Sequence, residues 1–128
     1  LTEHYRDGSL WEEQAGYSRA VRRGSRICVS GTTSHAEDGS ALYPGDVYRQ
    51  TRDALSRAIA AVEALGGAKS DIVRTRIFLV LGSDWERAAR AHAELLGDVA
   101  PANTTLYTSG LIGDDLLVEV EVDAEVSP

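Results

Sequence analysis

The chain has 128 residues, with 13 Lys and Arg against 20 Asp and Glu, for a net charge of -7 at pH 7; 43% of it is hydrophobic and 26% charged. That composition fits one globular domain, offers no apolar run of the ~20 residues a membrane span needs, and works against polyanions, whose binding rests on phosphate contacts. A single cysteine, Cys28, excludes an internal disulfide; with an N-terminus that does not read as a secretory signal, it points to a cytoplasmic location.

Residues 1–14 are polar and mixed, and read as a loosely packed N-terminal arm with room for a short strand. The stretch "YSRAVRRGSRICVSG" reads as a hairpin: a strand over Tyr17–Val21, a turn around Arg23-Gly24-Ser25, and a return over Arg26–Ser30. Its arginines, Arg19, Arg22, Arg23 and Arg26, are either solvated or an anion site. Cys28 is expected to be buried and inert. The polar segment 32–45 has loop chemistry and a length typical of loops over sites or interfaces.

Asp46 can cap a helix running to Leu65, in which Val47, Thr51, Ala54, Leu55, Ala58, Val62 and Leu65 form one apolar stripe and Gly66-Gly67 end it. The run "IVRTRIFLV" is a strand by its β-branched and aromatic content, with Arg74, Arg76 and Phe78 on one face and Val73, Thr75 and Ile77 on the other. Ser83 and Glu86 match a capping box for a second helix, expected to bury Trp85, Ala88, Ala89, His92 and Leu96 and to stop at Gly97. A strand starts near Thr104, and a turn at Gly113-Asp114-Asp115 leads into "LVEVEVDAEV". That last run alternates strictly, so its valines share one face and Glu119, Glu121, Asp123 and Glu125 the other.

The resulting order, β-β-α-β-α-β-β plus any strand in the arm, specifies a single α+β domain with a mixed sheet. Two helices cover only one sheet face, so the carboxylate face is either solvated or closed by another subunit. In the second case Glu119, partly buried, is a general acid or base. Arg76 is either paired across strands or free to hold a substrate carboxylate through its planar fork. His4, His35 and His92 lack ligand spacing, and no nucleotide-binding glycine motif occurs, so neither a metal nor a nucleotide cofactor is expected.

Taken together, "GYSRAVRRGSRICVSG", "QTRDALSRAIAAVEALGGAKSDIVRTRIFL", "DWERAARAHAELLGDVAPA" and "LVEVEVDA" resemble the RidA/YjgF family of reactive-intermediate deaminases over roughly residues 15–126. The resemblance implies a chorismate-mutase-like fold with a six-stranded mixed sheet, a homotrimeric barrel, and clefts between subunits. It also implies cofactor-free hydrolysis of small imines and enamines. Carried over by position, Tyr17, Ser30 and Gly31 line the pocket and Glu119 positions the attacking water. The family's carboxylate-clasping arginine is replaced by Asn103, and Thr105 stands where a cysteine is often found. An amide brings no charge, so the common amino-acid-derived substrates such as 2-aminoacrylate are not expected here, unless another cation, Arg76 being the candidate, substitutes. A non-catalytic trimeric binding module, or a tailoring role in a specialised pathway, fits the same departure. Ribonuclease activity is disfavoured by the acidic balance and the lack of a histidine-based acid/base pair.

Overall fold

The computed structural model describes residues 1–128. Six strands form one sheet: β1 (Thr2–Tyr5), β2 (Ala20–Arg23), β3 (Arg26–Thr32), β4 (Ile72–Val80), β5 (Ala102–Thr108) and β6 (Val118–Glu125). They lie in the order β1-β2-β3-β6-β4-β5, and only the β4–β5 pair is parallel. The α+β architecture expected from the sequence is the one found. From Ala20 onward the element order is also as expected, and the sixth strand is β1, in the arm.

Helix α2 (Val47–Ala64) is capped by Asp46, whose side chain accepts from the Arg49 N–H. Its expected stripe, Val47 to Leu65, is buried throughout. Helix α3 (Trp85–Leu96) lies beside it. The two cover the sheet face made by Ile27, Val29, Ile77, Leu79, Val118, Val120 and Val122, all buried. Each such apolar side chain contributes about 1.5–3 kcal/mol on leaving water. Gln50, fully buried, donates to Asp115 O at 2.9 Å and accepts from Leu117 N at 2.9 Å, so α2 fixes where β6 begins.

Several local expectations are corrected. The arm is not loose: after β1 it forms α1 (Leu10–Ala15), started by a Ser9–Glu12 capping box. Glu12 is buried, and its carboxylate gathers the N–H groups of Gly8, Ser9 and Arg19 within 3.0 Å. Arg19 is not solvated but 3% exposed. The cap of α3 is Asp84 rather than Ser83. Trp85 and Ala89 face solvent, His92 is half-buried, and Ala91 is buried instead. In β4 a register shift between Ile72 and Arg74 turns Val73 outward, since the extra residue has no partner on β6. Cys28 is exposed, on the sheet face that carries no long helix.

Candidate functional site

Glu119 sits in β6 between Val118 and Val120, which point at the helices, so alternation turns its carboxylate to the opposite face. There the β3–β6 register slips. Val29 opposes Val122 while Thr32 opposes Val120, so three steps on β3 match two on β6. The bulge falls at Ser30-Gly31 and aims Gly31 at Glu119. A Cβ at residue 31 would meet the Glu119 carboxylate, with its Cδ at 3.0 Å and Oε2 closer still. Only glycine leaves the carboxylate its place. The expected result for Gly31→Ala is a Glu119 side chain swung out toward water in the variant's crystal structure, with its NMR-detected pKa falling back toward the ordinary carboxylate range.

The pocket around this pair holds about 230 Å³ and is walled by Trp11 and Ala15 of α1, Tyr17 and Arg19 before β2, Thr33, His35 and Ile112. Trp11 is fixed by its neighbours. His35 meets it edge-on with ring centroids 5.4 Å apart, and the Trp11 Cη2 lies 3.1 Å from where a Gly39 Cβ would be. Gly39 also has φ +88°, so both its backbone and the indole require glycine. Helix α1 thus closes one end of a sheet face the two long helices leave bare.

Burial pushes the Glu119 carboxyl above the usual carboxylate range; repulsion from Glu121 adds to the rise, and Arg19 opposes it. Glu119 makes no side-chain hydrogen bond or ion pair within the chain. Arg19 is the opposite case, its guanidinium already engaged. Nη1 donates to Gly31 O and lies 3.3 Å from Thr32 Oγ1, Nε lies 3.2 Å from Asp7 Oδ2, and Nη2 is 3.5 Å from Tyr17 Oη. The Nε approach to Asp7 is an ion pair by distance without hydrogen-bond alignment, so the charge is compensated while one donor stays unmatched. Burial works to raise the Asp7 carboxyl, but Arg19 and the Ser9 N–H outweigh it and hold it below its ordinary value. His35 is held below the ordinary histidine value by burial and then by Arg57 and Arg19, so it is neutral at pH 7. A desolvated, partnerless carboxylate facing a small cavity has the proton affinity and the access of a general base.

The sequence-derived candidates divide. Tyr17, Gly31 and Glu119 come together in this pocket. The Ser30 hydroxyl turns away and donates to Ser18 O at 2.7 Å. Arg76 shares the sheet face of Glu119, but its Nη1 is held by Glu121 at 3.4 Å and Asp123 at 3.3 Å. Asn103 and Thr105 pair with Thr75 and Ile77 on edge strand β5, on the other face. Asn103 Nδ2 donates to Thr75 Oγ1 at 3.0 Å, Thr105 donates to Asn103 Oδ1 at 2.9 Å, and His92 Nε2 lies 2.8 Å from the same threonine oxygen. No three His, Cys, Asp or Glu side chains converge as a metal site, and no helix is long and apolar enough to cross a membrane.

Of the pocket residues that the sequence reading did not assign to a site, Arg19 and Trp11 each had a signal. Arg19 belongs to the arginine cluster that the sequence left open as an anion site, although it lies before β2 and outside any strand. Trp11 follows Ser9 in a Ser-x-x-Glu capping box, which marks a helix start in the supposed arm.

Comparisons with known proteins agree with this fold. The endoribonuclease L-PSP family model matches residues 10–126. An uncharacterized protein of Streptomyces coelicolor is 42% identical over 118 residues, which is 91% of this chain and 87% of that one. A RutC family protein of Pyrococcus horikoshii is 28% identical over 108 residues, 84% of this chain and 85% of that one. Among solved structures, a Mycobacterium tuberculosis member of the YjgF/YER057c/UK114 family superposes with a TM-score of 0.88 at 37% identity, covering 98% of this chain and all of that one. A match across nearly the whole length, in sequence and in fold, places this chain in the RidA/YjgF family, to which the endoribonuclease L-PSP model corresponds.

Proposed function

We propose that this protein is a cofactor-free hydrolase of small imines or enamines, working as a cytoplasmic homotrimer on substrates other than the 2-aminoacrylate type. The observation that carries the reading is Glu119: a carboxylate with raised proton affinity, free of partners, at the wall of a small pocket. In the proposed reaction water attacks the carbon of a protonated imine, and its oxygen forms the new bond as Glu119 takes the proton. The carbinolamine nitrogen then receives that proton from Glu119, the C–N bond breaks and ammonia leaves. Loss of the hydroxyl proton gives the carbonyl, so iminium and water become carbonyl and ammonium. Tyr17 and Gly31 shape the pocket and Ser30 holds the strand beneath it. Asn103 and Thr105, exposed on the edge strand of the opposite face, are assigned to the cleft of a neighbouring protomer. Arg76, engaged by two carboxylates, serves the site by shaping its field, and the segment after β3 sets specificity through His35.

The test is hydrolysis of two imine classes, followed by ultraviolet absorbance: an aryl ketimine without a carboxylate, and 2-imino acids made in place by an amino-acid oxidase. Acceleration of the ketimine above that of the imino acids is the expected result. Acceleration of neither would reject the reading. A non-catalytic binding module draws support from Asn103, which puts an amide where the family's arginine is expected and spends it on Thr75 and Thr105. Ligand affinity unchanged by Glu119→Ala, with no turnover, would favour that alternative.

A further inference from the structure

The pocket contains one charge that is compensated and one that is not. Arg19 has Asp7 at 3.2 Å, and both the Gly31 carbonyl and Thr32 take its Nη1 donors. Its unmatched donor, Nε, lies against the Asp7 carboxylate, which disfavours an anionic ligand there. Glu119 accepts no hydrogen bond and forms no ion pair within this chain; Arg19, on the same pocket wall, acts on it only through its field. On the same sheet face Arg76 is engaged by two carboxylates, Glu121 and Asp123, and is not free for a ligand. Arg19, Asp7 and Glu119 together leave one negative charge in excess at the pocket, in a chain whose net charge is -7. Apart from Thr33 and the neutral His35, the other side chains of the wall, among them Trp11, Tyr17 and Ile112, are aromatic or aliphatic. A carboxylate with open acceptor sites beside aromatic rings recognises a cationic nitrogen through charge-assisted hydrogen bonds and cation–π attraction. It rejects a carboxylate by repulsion.

We propose, resting on the reading of the Glu119 pocket as the reaction site, that the ligand is a compact organic cation: a protonated nitrogen on an apolar body, with no acid group. The neutral amide at position 103 is then a consequence, since such a ligand has no carboxylate for an arginine to clasp. The substrate class narrows to aryl or alkyl iminium ions, and the corresponding amines are ground-state ligands.

Benzylamine, benzyl alcohol and benzoate share a ring and nearly a size but differ in charge, and serve as probes. Each is titrated into the wild-type protein at pH 7 while amide and Trp11 indole NMR signals are followed. Benzylamine is expected to bind about tenfold or more tighter than benzoate, shifting Gly31 and Trp11, and Glu119→Gln is expected to erase that preference. Equal or tighter benzoate binding, binding of none of the three, shifts confined to another region, or a preference surviving in Glu119→Gln would each overturn the proposal. Benzylamine binding without ketimine hydrolysis would sink the hydrolase reading and leave this one standing. Ketimine hydrolysis with a preference for benzoate would do the reverse.

Discussion

Glu119→Gln is expected to cut ketimine turnover by about 10²–10⁴-fold, the range for loss of a general base, while making the protein more stable at pH 7. The two effects have one cause. The folded protein holds the Glu119 carboxyl above its ordinary proton affinity, chiefly by burial. Between the unfolded and folded pKa values the folded state binds more protons, so stability falls as pH rises through that window. Glutamine removes the burden of the desolvated charge. The variant should therefore melt above wild type at pH 7, and the gap should close once the pH is below the ordinary carboxylate range. The wild-type rate should rise with pH through the raised pKa, because the deprotonated form is the base. Melting curves against pH and a pH–rate profile measure both. A variant that is fully active, or less stable than wild type at pH 7, would contradict the assignment.

Arg19→Met is expected to be the most damaging change to the fold around the site, lowering stability by about 3 kcal/mol, the low end for a broken buried pair because Asp7 keeps some contact with water. In a domain of this size that is roughly 10 °C in melting temperature. The substitution removes the partner of Asp7, the donors to Gly31 O and Thr32, and the cation resting 5.6 Å over the Tyr17 ring. The loss has a pH signature. Asp7 is held below its ordinary value in the fold, so its contribution is complete above the unfolded pKa and disappears as pH falls through the folded one. The difference between wild type and variant should shrink on acidification. A constant difference across that window would show that packing, not the ion pair, was lost.

The fold was readable because its signals are local and periodic. The alternation of β6 and the three- and four-residue stripe of α2 specify which faces are buried before any contact is known. The placing of Glu119 opposite the valines follows from that alternation alone. Errors came where the chain departs from a period. The extra residue at Val73 inverted one assignment in β4, and the short α1 carried too little apolar pattern to stand out from a polar arm.

The sequence by itself determined the order of the elements from Ala20 onward, the helix-covered face, and the presence of a carboxylate and a glycine at the positions the family resemblance picks out. Only the tertiary structure decided which charges are neighbours. The bulge at Ser30-Gly31 brings Gly31 to Glu119, the turn of the arm brings Asp7 to Arg19 and Trp11 to His35, and the β4–β6 register commits Arg76 to Glu121 and Asp123. These meetings depend on register and on loop paths between residues far apart in the chain. A one-residue slip changes them without altering any local propensity.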